Sequence, residues 1–400
     1  MKKILMLGGS AQQVPAIEAA KKLGYYTVLI DYLPDNPGQF VADKWYQEST
    51  TDIEAVYKIA RKEEVAGILP YASDPAALPA AIVAERLNLP TNPVKSVEIL
   101  GVKHKFRKFL QDNGFSAPKA FSFFIDDRIE NILEKCAELK FPIVVKPTDS
   151  SGSKGVSFLN NLDHLEDAIL HATEYSRNKI LIAEEYIERG FPYVIGGDIF
   201  VEDGRIVLYG DMACLRDNEG NGLIPVGKKK PHGLNDKQTM LLHQELQHLI
   251  DALNIKNGEL NIELIIDKED RPHFLELGPR AGGNMIPIQL SDIYSVDLIS
   301  ANVKAAMGEK VGLKVKETDK YYFTYVLHAN QNGVLSHIEY SPEIKDHIYR
   351  KVEYKKAGDK VEYFDGAGKA LGIVFLKFEN EAEMIEAINN ISQYIKVILK

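Results

Sequence analysis

ELNIELIIDKEDRPHFLELGPRAGGN, running from Glu259 to Asn284, is the stretch on which the reading of this chain turns. Its first half alternates, with Asn261, Glu263 and Ile265 on one side of a strand and Ile262, Leu264 and Ile266 on the other, the pattern of a half-buried strand. Asp267 to Arg271 is a charged, turn-like interruption and His273 to Leu277 reads as a returning strand, so the segment is expected to form a β-hairpin. Pairing Asp267 with Pro272 across a tight turn sets Glu263 opposite Glu276. Like charges facing each other with Cβ atoms about 5 Å apart destabilise a sheet, so something positive should sit between them. Carboxylate oxygens suit Mg²⁺, which keeps several waters and binds one or two carboxylates together with phosphates. The competing reading is two solvated glutamates on an exposed face. Gly278 to Asn284 tips the choice towards the metal, because it sets Arg280 among glycines that let an anionic ligand approach the backbone.

Working outward, 400 residues exceed what one hydrophobic core serves, and two or three domains are expected. A hydrophobic content of 45% and a charged content of 26% are those of an ordinary globular protein. A net charge of −9 argues against a general binder of nucleic acid or anionic membrane, since both need a cationic surface. Cys136 and Cys214 lie far apart without metal-ligand spacing, which fits a reducing cytoplasm better than a disulfide framework. The apolar run after Met1 stops at Gly8-Gly9, too short for a signal peptide, and no run of about 18 apolar residues is present to span a membrane.

Taken in order, Lys3 to Leu7 reads as a buried strand, Gly8-Gly9-Ser10 as a turn, Gln12 to Leu23 as a helix and Tyr26 to Ile30 as a strand ending at Asp31. That is the opening of a doubly wound α/β domain, expected over residues 1–100. A nicotinamide reading must be weighed, but this turn lacks the third glycine and the spacing of the dinucleotide fingerprint. The loops at the strand ends, Gly8 to Gln12 and Tyr71 to Asp74, are where such a sheet binds ligands. Helix Val102 to Gln111 carries Lys103, Lys105, Arg107 and Lys108 on a basic face that reads as solvated. FPIVVKP, Phe141 to Pro147, is a strand with Lys146 near its end, followed by a Ser/Gly loop, Thr148 to Gly155, whose backbone N–H groups and hydroxyls could wrap phosphate oxygens. It joins two strands and is therefore no Walker A loop. Lys179 to Ile187 is an apolar strand ending in the acid pair Glu184-Glu185, suited to a hinge. Arg216 and the polar segment Asp217 to His232, with Lys228-Lys229-Lys230, read as a mobile loop with solvated lysines. Helix Asp236 to Leu253 has an apolar stripe at Leu242, Leu246, Leu249, Ile250 and Leu253. A boundary is expected over Lys310 to Lys320, with a β-rich remainder.

This order of parts resembles the ATP-grasp superfamily, most like L-amino acid ligases, biotin carboxylase and the purine-biosynthesis ATP-grasp enzymes. NIEL…FLELGPRAGG is the most specific part of the likeness and FPIVVKP with its loop the next. The resemblance implies an α/β and α+β architecture: an N-terminal doubly wound α/β domain (1–100), a two-lobed nucleotide clamp (101–310) and a C-terminal β-rich domain (311–400). It implies that Lys105 and Lys146 hold ATP phosphates, that Gly152, Ser153 and Gly155 lie in the flap over them, and that Glu184, Glu185 and Ile187 form the adenine hinge. Glu263 and Glu276 would hold Mg²⁺, or Mn²⁺ in its place. Arg280 would steady the transferred phosphate and acyl group, with Lys146 and Arg216 completing the catalytic set. Gly278 stands where many members carry an asparagine metal ligand, and Asp198 is the candidate ribose partner.

The implied activity is an ATP-dependent carboxylate–amine ligase that activates a small carboxylate as an acyl phosphate, joins it to an amine and releases ADP and phosphate. Segments 148–155 and 217–232 would close as a lid, and a homodimer is implied. The alternatives are a carboxylase or acyl-phosphate-forming enzyme that uses no amine, a nucleotide-responsive binding protein, and a nicotinamide oxidoreductase relying on Asp31.

Overall fold

Residues 1–150, 154–216 and 224–400 are described by a computed structural model. Four sheets organise them. The N-terminal sheet is parallel, in the order Lys44–Gln47, Tyr26–Asp31, Lys3–Leu7 and Gly67–Leu69. Apart from the edge strand Lys44–Gln47, its strands are nearly continuous apolar runs because helices cover both faces.

The central sheet has eight strands, and Glu259 to Gly278 forms its edge hairpin, Gly258–Ile266 against Pro272–Gly278. Glu263 pairs with Glu276, as the alternation requires. The turn differs from the expected one: Ile266 rather than Asp267 stands opposite Pro272, and an irregularity between Glu263 and Leu264 restores the register at the acid pair. The cause is a bulge, in which one strand carries an extra residue. Asp267 is drawn into the turn, where it accepts from the Glu269 and Arg271 N–H groups and pairs with His273.

Helix Asp236–Ala252 packs its leucine stripe on one face of this sheet, so Leu242, Leu246, Leu249 and Ile250 join Ile262, Leu264, Ile266, Phe274 and Leu277 in a single core. Asn235 and Gln238 start the helix with a reciprocal capping box. The other face carries Asn261 and Glu263.

Three features depart from the sequence reading. Pro225–Lys230 is a strand of the central sheet, not a mobile loop, and Lys228, Lys229 and Lys230 are all buried in it. Residues 217–223 of the expected lid lie outside the described residues. Helix Ile286–Tyr294, directly after the GPRAGGN segment, was not foreseen; being apolar almost all round, it shows no amphipathic period. Finally, Tyr321–Leu327, Gly372–Phe378 and Ile348–Glu353 extend the central sheet, so the expected boundary over Lys310 to Lys320 falls inside one continuous sheet.

A small antiparallel sheet, Ala120–Phe124, Ile180–Glu185, Ile143–Pro147 and Ser157–Leu159, forms the second lobe. The remaining sheet joins Lys360–Val361, Gly333–Tyr340 and Ile395–Leu399. No helix among the described residues is long and apolar enough to cross a membrane.

Gly197 lies mid-sheet between Ile262 and Asp211, with φ at +136°. A Cβ there would stand 2.0 Å from Gly210 O. Gly197→Ala should therefore lower unfolding free energy by about 1–3 kcal/mol; urea denaturation giving an unchanged midpoint would contradict this packing.

Candidate nucleotide and metal site

A cleft of about 1110 Å³ lies between the small sheet and the central sheet, and its walls include Lys103, Lys146, Glu184, Arg216, Glu263 and Glu276. Lys103 opens the helix Lys103–Asp112 and is anchored there, its N–H donating to Thr148 O at 2.9 Å and its Nζ to Ser150 O. The same ammonium meets Glu276 Oε1 at 2.8 Å, while Arg216 Nη2 comes within 4.0 Å of Glu263 Oε2. Each hairpin acid thus has a cation of this chain beside it. Among the described residues no group of three or more Asp, Glu, His or Cys is placed to hold a metal. A two-carboxylate donor set fits a Mg²⁺ whose other ligands are waters and nucleotide phosphates, and does not fit an all-protein cage.

Lys105 does not join this group. Residues two apart on a helix do not share a face, and Lys105 instead pairs with Glu98 Oε1 at 2.5 Å on a half-exposed surface. Lys103 and Arg107 share the inward face with Phe106 and Leu110. Arg107, expected on a solvated face, is 2% exposed. Its Nε donates to Glu184 Oε2 at 2.9 Å, and its Nη1 to Phe274 O and Leu275 O at 3.1 and 3.0 Å. One guanidinium therefore ties the small lobe to the hairpin strand, just ahead of Glu276.

Glu184 also pairs with Lys146, which is buried beside it. Burial alone would raise the Glu184 carboxyl, but the charges of Arg107 and Lys146 outweigh it and hold the group at about 2. Burial pushes the Lys146 ammonium below its ordinary range against the pull of Glu184. The Glu184 carboxylate is thus committed inside the protein, and the Glu185 side chain accepts from the Lys140 N–H at 2.9 Å. The hinge can offer a base its backbone rather than its carboxylates. The Glu185 and Tyr186 N–H groups donate to Lys119 O and Pro142 O, and Ile187 follows on the cleft wall. Phe158 and Tyr186 meet edge to face, their centroids 4.6 Å apart, on the same wall. Gly155 has φ +70°, a turn conformation that L side chains rarely adopt. Gly152 and Ser153 lie outside the described residues.

Arg280 lies outside the main cleft. Its Nη2 meets Asp74 Oδ2 at 2.5 Å, bridging the hairpin to the first turn of helix Asp74–Arg86 in the N-terminal unit. Burial works against this guanidinium, but Asp74 first, then Asp198 and Glu276, raise its pKa above the ordinary value. Asp198 is no ribose partner: it is fully buried and accepts from Asn261 Nδ2 and the Gly282 N–H at 2.8 and 2.7 Å. It braces the GPRAGGN segment against the sheet. Burial raises both Asp198 and the adjoining Glu259, and the repulsion between them raises Glu259 further. Asp31 is spent in the same way, accepting from the Gly9 and Leu33 N–H groups at 2.7 and 2.8 Å, which counts against a dinucleotide ribose there.

Sheet order, hinge, paired acids and cleft lysines together are those of an ATP-grasp protein. The family model described as the carbamoyl-phosphate synthase L chain, ATP binding domain, matches residues 103–314, and the chain belongs to that family. Carbamoyl phosphate synthase large chains from Caldanaerobacter subterraneus subsp. tengcongensis and Thermotoga maritima are 25% and 23% identical over 312 residues, covering 74% and 76% of this chain. The chain spans only 27% of the length of those relatives. Among solved structures, L-amino acid ligase from Bacillus licheniformis aligns over 100% of this chain and 99% of its own, at 19% identity and a TM-score of 0.83. Phosphoribosylglycinamide synthetase from Anaerococcus prevotii aligns over 100% of both chains at 21% identity and a TM-score of 0.78. The biotin carboxylase domain of Hydrogenobacter thermophilus 2-oxoglutarate carboxylase, in complex with MgADP and bicarbonate, aligns over 100% of this chain and 92% of its own, at 16% identity and a TM-score of 0.79. These likenesses establish the fold.

Because the Glu184 pKa is held at about 2 against an ordinary 4.5, its contribution to stability is complete above pH 4.5 and is lost as the pH falls towards 2. Glu184→Gln should cost about 3–5 kcal/mol at neutral pH, since it strands Arg107 and Lys146, and should flatten the acid limb of a stability profile measured by denaturant titration. An unchanged acid limb would contradict the assignment.

Proposed function

We propose that this chain is an ATP-dependent carboxylate–amine ligase acting on small molecules. The observation that carries the reading is the pair Glu263 and Glu276, opposed in register on the wall of a cleft that also presents Lys103, Lys146 and Arg216. When bound, Mg²⁺ on the two acids would offset the charge of the β- and γ-phosphates. Lys103 and Lys146 would hold the phosphate oxygens, with Lys103 filling the role expected of Lys105. The adenine would lie against Phe158, Tyr186 and Ile187, its edge met by the hinge backbone.

A substrate carboxylate oxygen attacks the γ-phosphorus as the bond to ADP breaks, giving an acyl phosphate. An amine nitrogen then attacks the acyl carbon, the C–O bond to phosphate breaks, phosphate leaves carrying the proton the nitrogen gives up, and the amide remains. Alignment and fixed charge supply the acceleration in such a site. Arg280, held by Asp74 at the junction with the N-terminal unit outside the main cleft, would serve a substrate carboxylate that reaches in from that side. Water must be kept from the acyl phosphate; of the segments expected to close over it, Pro225–Lys230 takes no part, being a strand of the central sheet. The two buried free cysteines, Cys136 and Cys214, fit a reducing cytoplasm.

An acid-by-amine matrix read out by phosphate release should find pairs for which turnover needs both partners. With such a pair, Glu276→Gln should lower the rate by roughly 10²-fold or more. Turnover with bicarbonate and no amine would move the reading to a carboxylase, and robust amide formation by the variant would overturn the role given to the acid pair.

A further inference from the structure

Strand Pro225–Lys230 holds a lysine that the ligase reading leaves without a task. Lys228 is 7% exposed, and its Nζ donates to Cys214 Sγ at 2.8 Å. Its neighbours are differently provided for: Lys230 lies 3.6 Å from Asp211 Oδ2 and 3.9 Å from Glu317 Oε1, and Lys229 donates to Pro231 O and sits over the Tyr193 ring. Lys228 enters no ion pair among the described residues; a thiol is the only side chain its ammonium meets. A buried charge with no counter-charge is strongly disfavoured. A chain that keeps one beside a ligand cleft leaves the counter-charge to the ligand.

The position of the ammonium says which part of the ligand. A Cβ on Gly196 would lie 2.6 Å from Cys214 Sγ and 2.9 Å from Lys228 Nζ, so both groups occupy the space above that glycine. Gly196 stands directly opposite Glu263 in the sheet. Cys214, like Glu263, lines the cleft. The ammonium therefore lies beside Cys214, just beneath the cleft wall and about one strand spacing from Glu263, on the side of the sheet away from helix Asp236–Ala252. Its strand is fixed on the same face, where Gln289 Nε2 donates to Lys228 O at 3.1 Å and Gln289 Oε1 accepts from Thr324 Oγ1 at 3.2 Å.

We propose that Lys228 binds the phosphoryl group after it has left ADP, first as part of the acyl phosphate and then as free phosphate. This rests on the ligase reading for the identity of the anion. Lys103 and Lys146 approach the nucleotide from the small-lobe side, whereas Lys228 belongs to the central sheet, so the developing dianion would have a cation on each side. Cys214 Sγ accepts one ammonium hydrogen, which leaves two for phosphate oxygens.

The test titrates MgADP and then inorganic phosphate into the full chain by calorimetry, comparing wild type with Lys228→Met. Expected is MgADP affinity unchanged within about twofold and phosphate affinity for the MgADP complex weakened by about tenfold or more, tenfold being 1.4 kcal/mol. Equal phosphate affinity in the two proteins overturns the proposal, as does a wild type that takes MgADP but no phosphate at millimolar concentration. A wild type that takes no MgADP defeats the nucleotide reading itself, a separate result. Thermal melts guard against misfolding: Lys228→Met should be at least as stable as wild type, because it removes an unpaired buried charge, and Lys228→Gln should give an intermediate phosphate affinity. A destabilised Lys228→Met with Lys228→Gln matching wild type in phosphate binding would assign the lysine to packing alone.

Discussion

Two carboxylates face each other across adjacent strands, and the surrounding structure is arranged so that they can stay there. Glu263 and Glu276 are adjacent through the pairing of one hairpin, a placement that a sheet disfavours unless charge is supplied. Lys103 arrives from the start of one helix and Arg216 from the end of a neighbouring strand. A bulge rather than a uniform ladder keeps the acids in register, so the turn could shift by a residue without separating them. An acid pair of this kind, wedged among cations at a cleft, is suited to exchange protein cations for a divalent ion and the nucleotide that accompanies it.

The second constraint is the buried cluster Arg107, Glu184 and Lys146. It links the strand bearing Glu184 to the backbone at Phe274 and Leu275, next to Glu276. A hydrophobic contact could hold two lobes at a distance, but it would not fix their register as a guanidinium bonded to three defined oxygens does. The lobe that carries the hinge and the hairpin that carries the acids are thus positioned by one side chain. Asp198 and the bridge from Arg280 to Asp74 do the same for the GPRAGGN segment and the N-terminal unit.

Much of this was legible because strands and helices announce themselves by period. The alternation of Asn261, Glu263 and Ile265 fixed which residues share a face, and the acid pair followed. The bulge left no mark, since its additional residue, Leu275, looks like any other strand residue. Helix 103–112 shows the complementary failure: its basic residues outnumber its apolar ones, and Lys105 stood out only by resemblance. Phe106 and Leu110 define its inward face, and Lys103 and Arg107 stand three residues before them respectively; that was the available signal. The lysine run was misread because charge normally means solvent, and only strand pairing shows that Lys228 is enclosed. Asp198 and Asp31 looked like ligand-binding acids, yet both are spent on backbone N–H groups, which no one-dimensional pattern reveals.

The most direct test of the central claim is the magnesium dependence of nucleotide binding. ATP is titrated by calorimetry into wild type and into the Glu263→Gln/Glu276→Gln double variant, each with and without Mg²⁺. The account predicts that Mg²⁺ strengthens ATP binding to wild type by about tenfold or more, and that the variant, with Lys103 and Arg216 released from their acids, binds ATP with an affinity that Mg²⁺ no longer improves. An equal gain from Mg²⁺ in both proteins would contradict it.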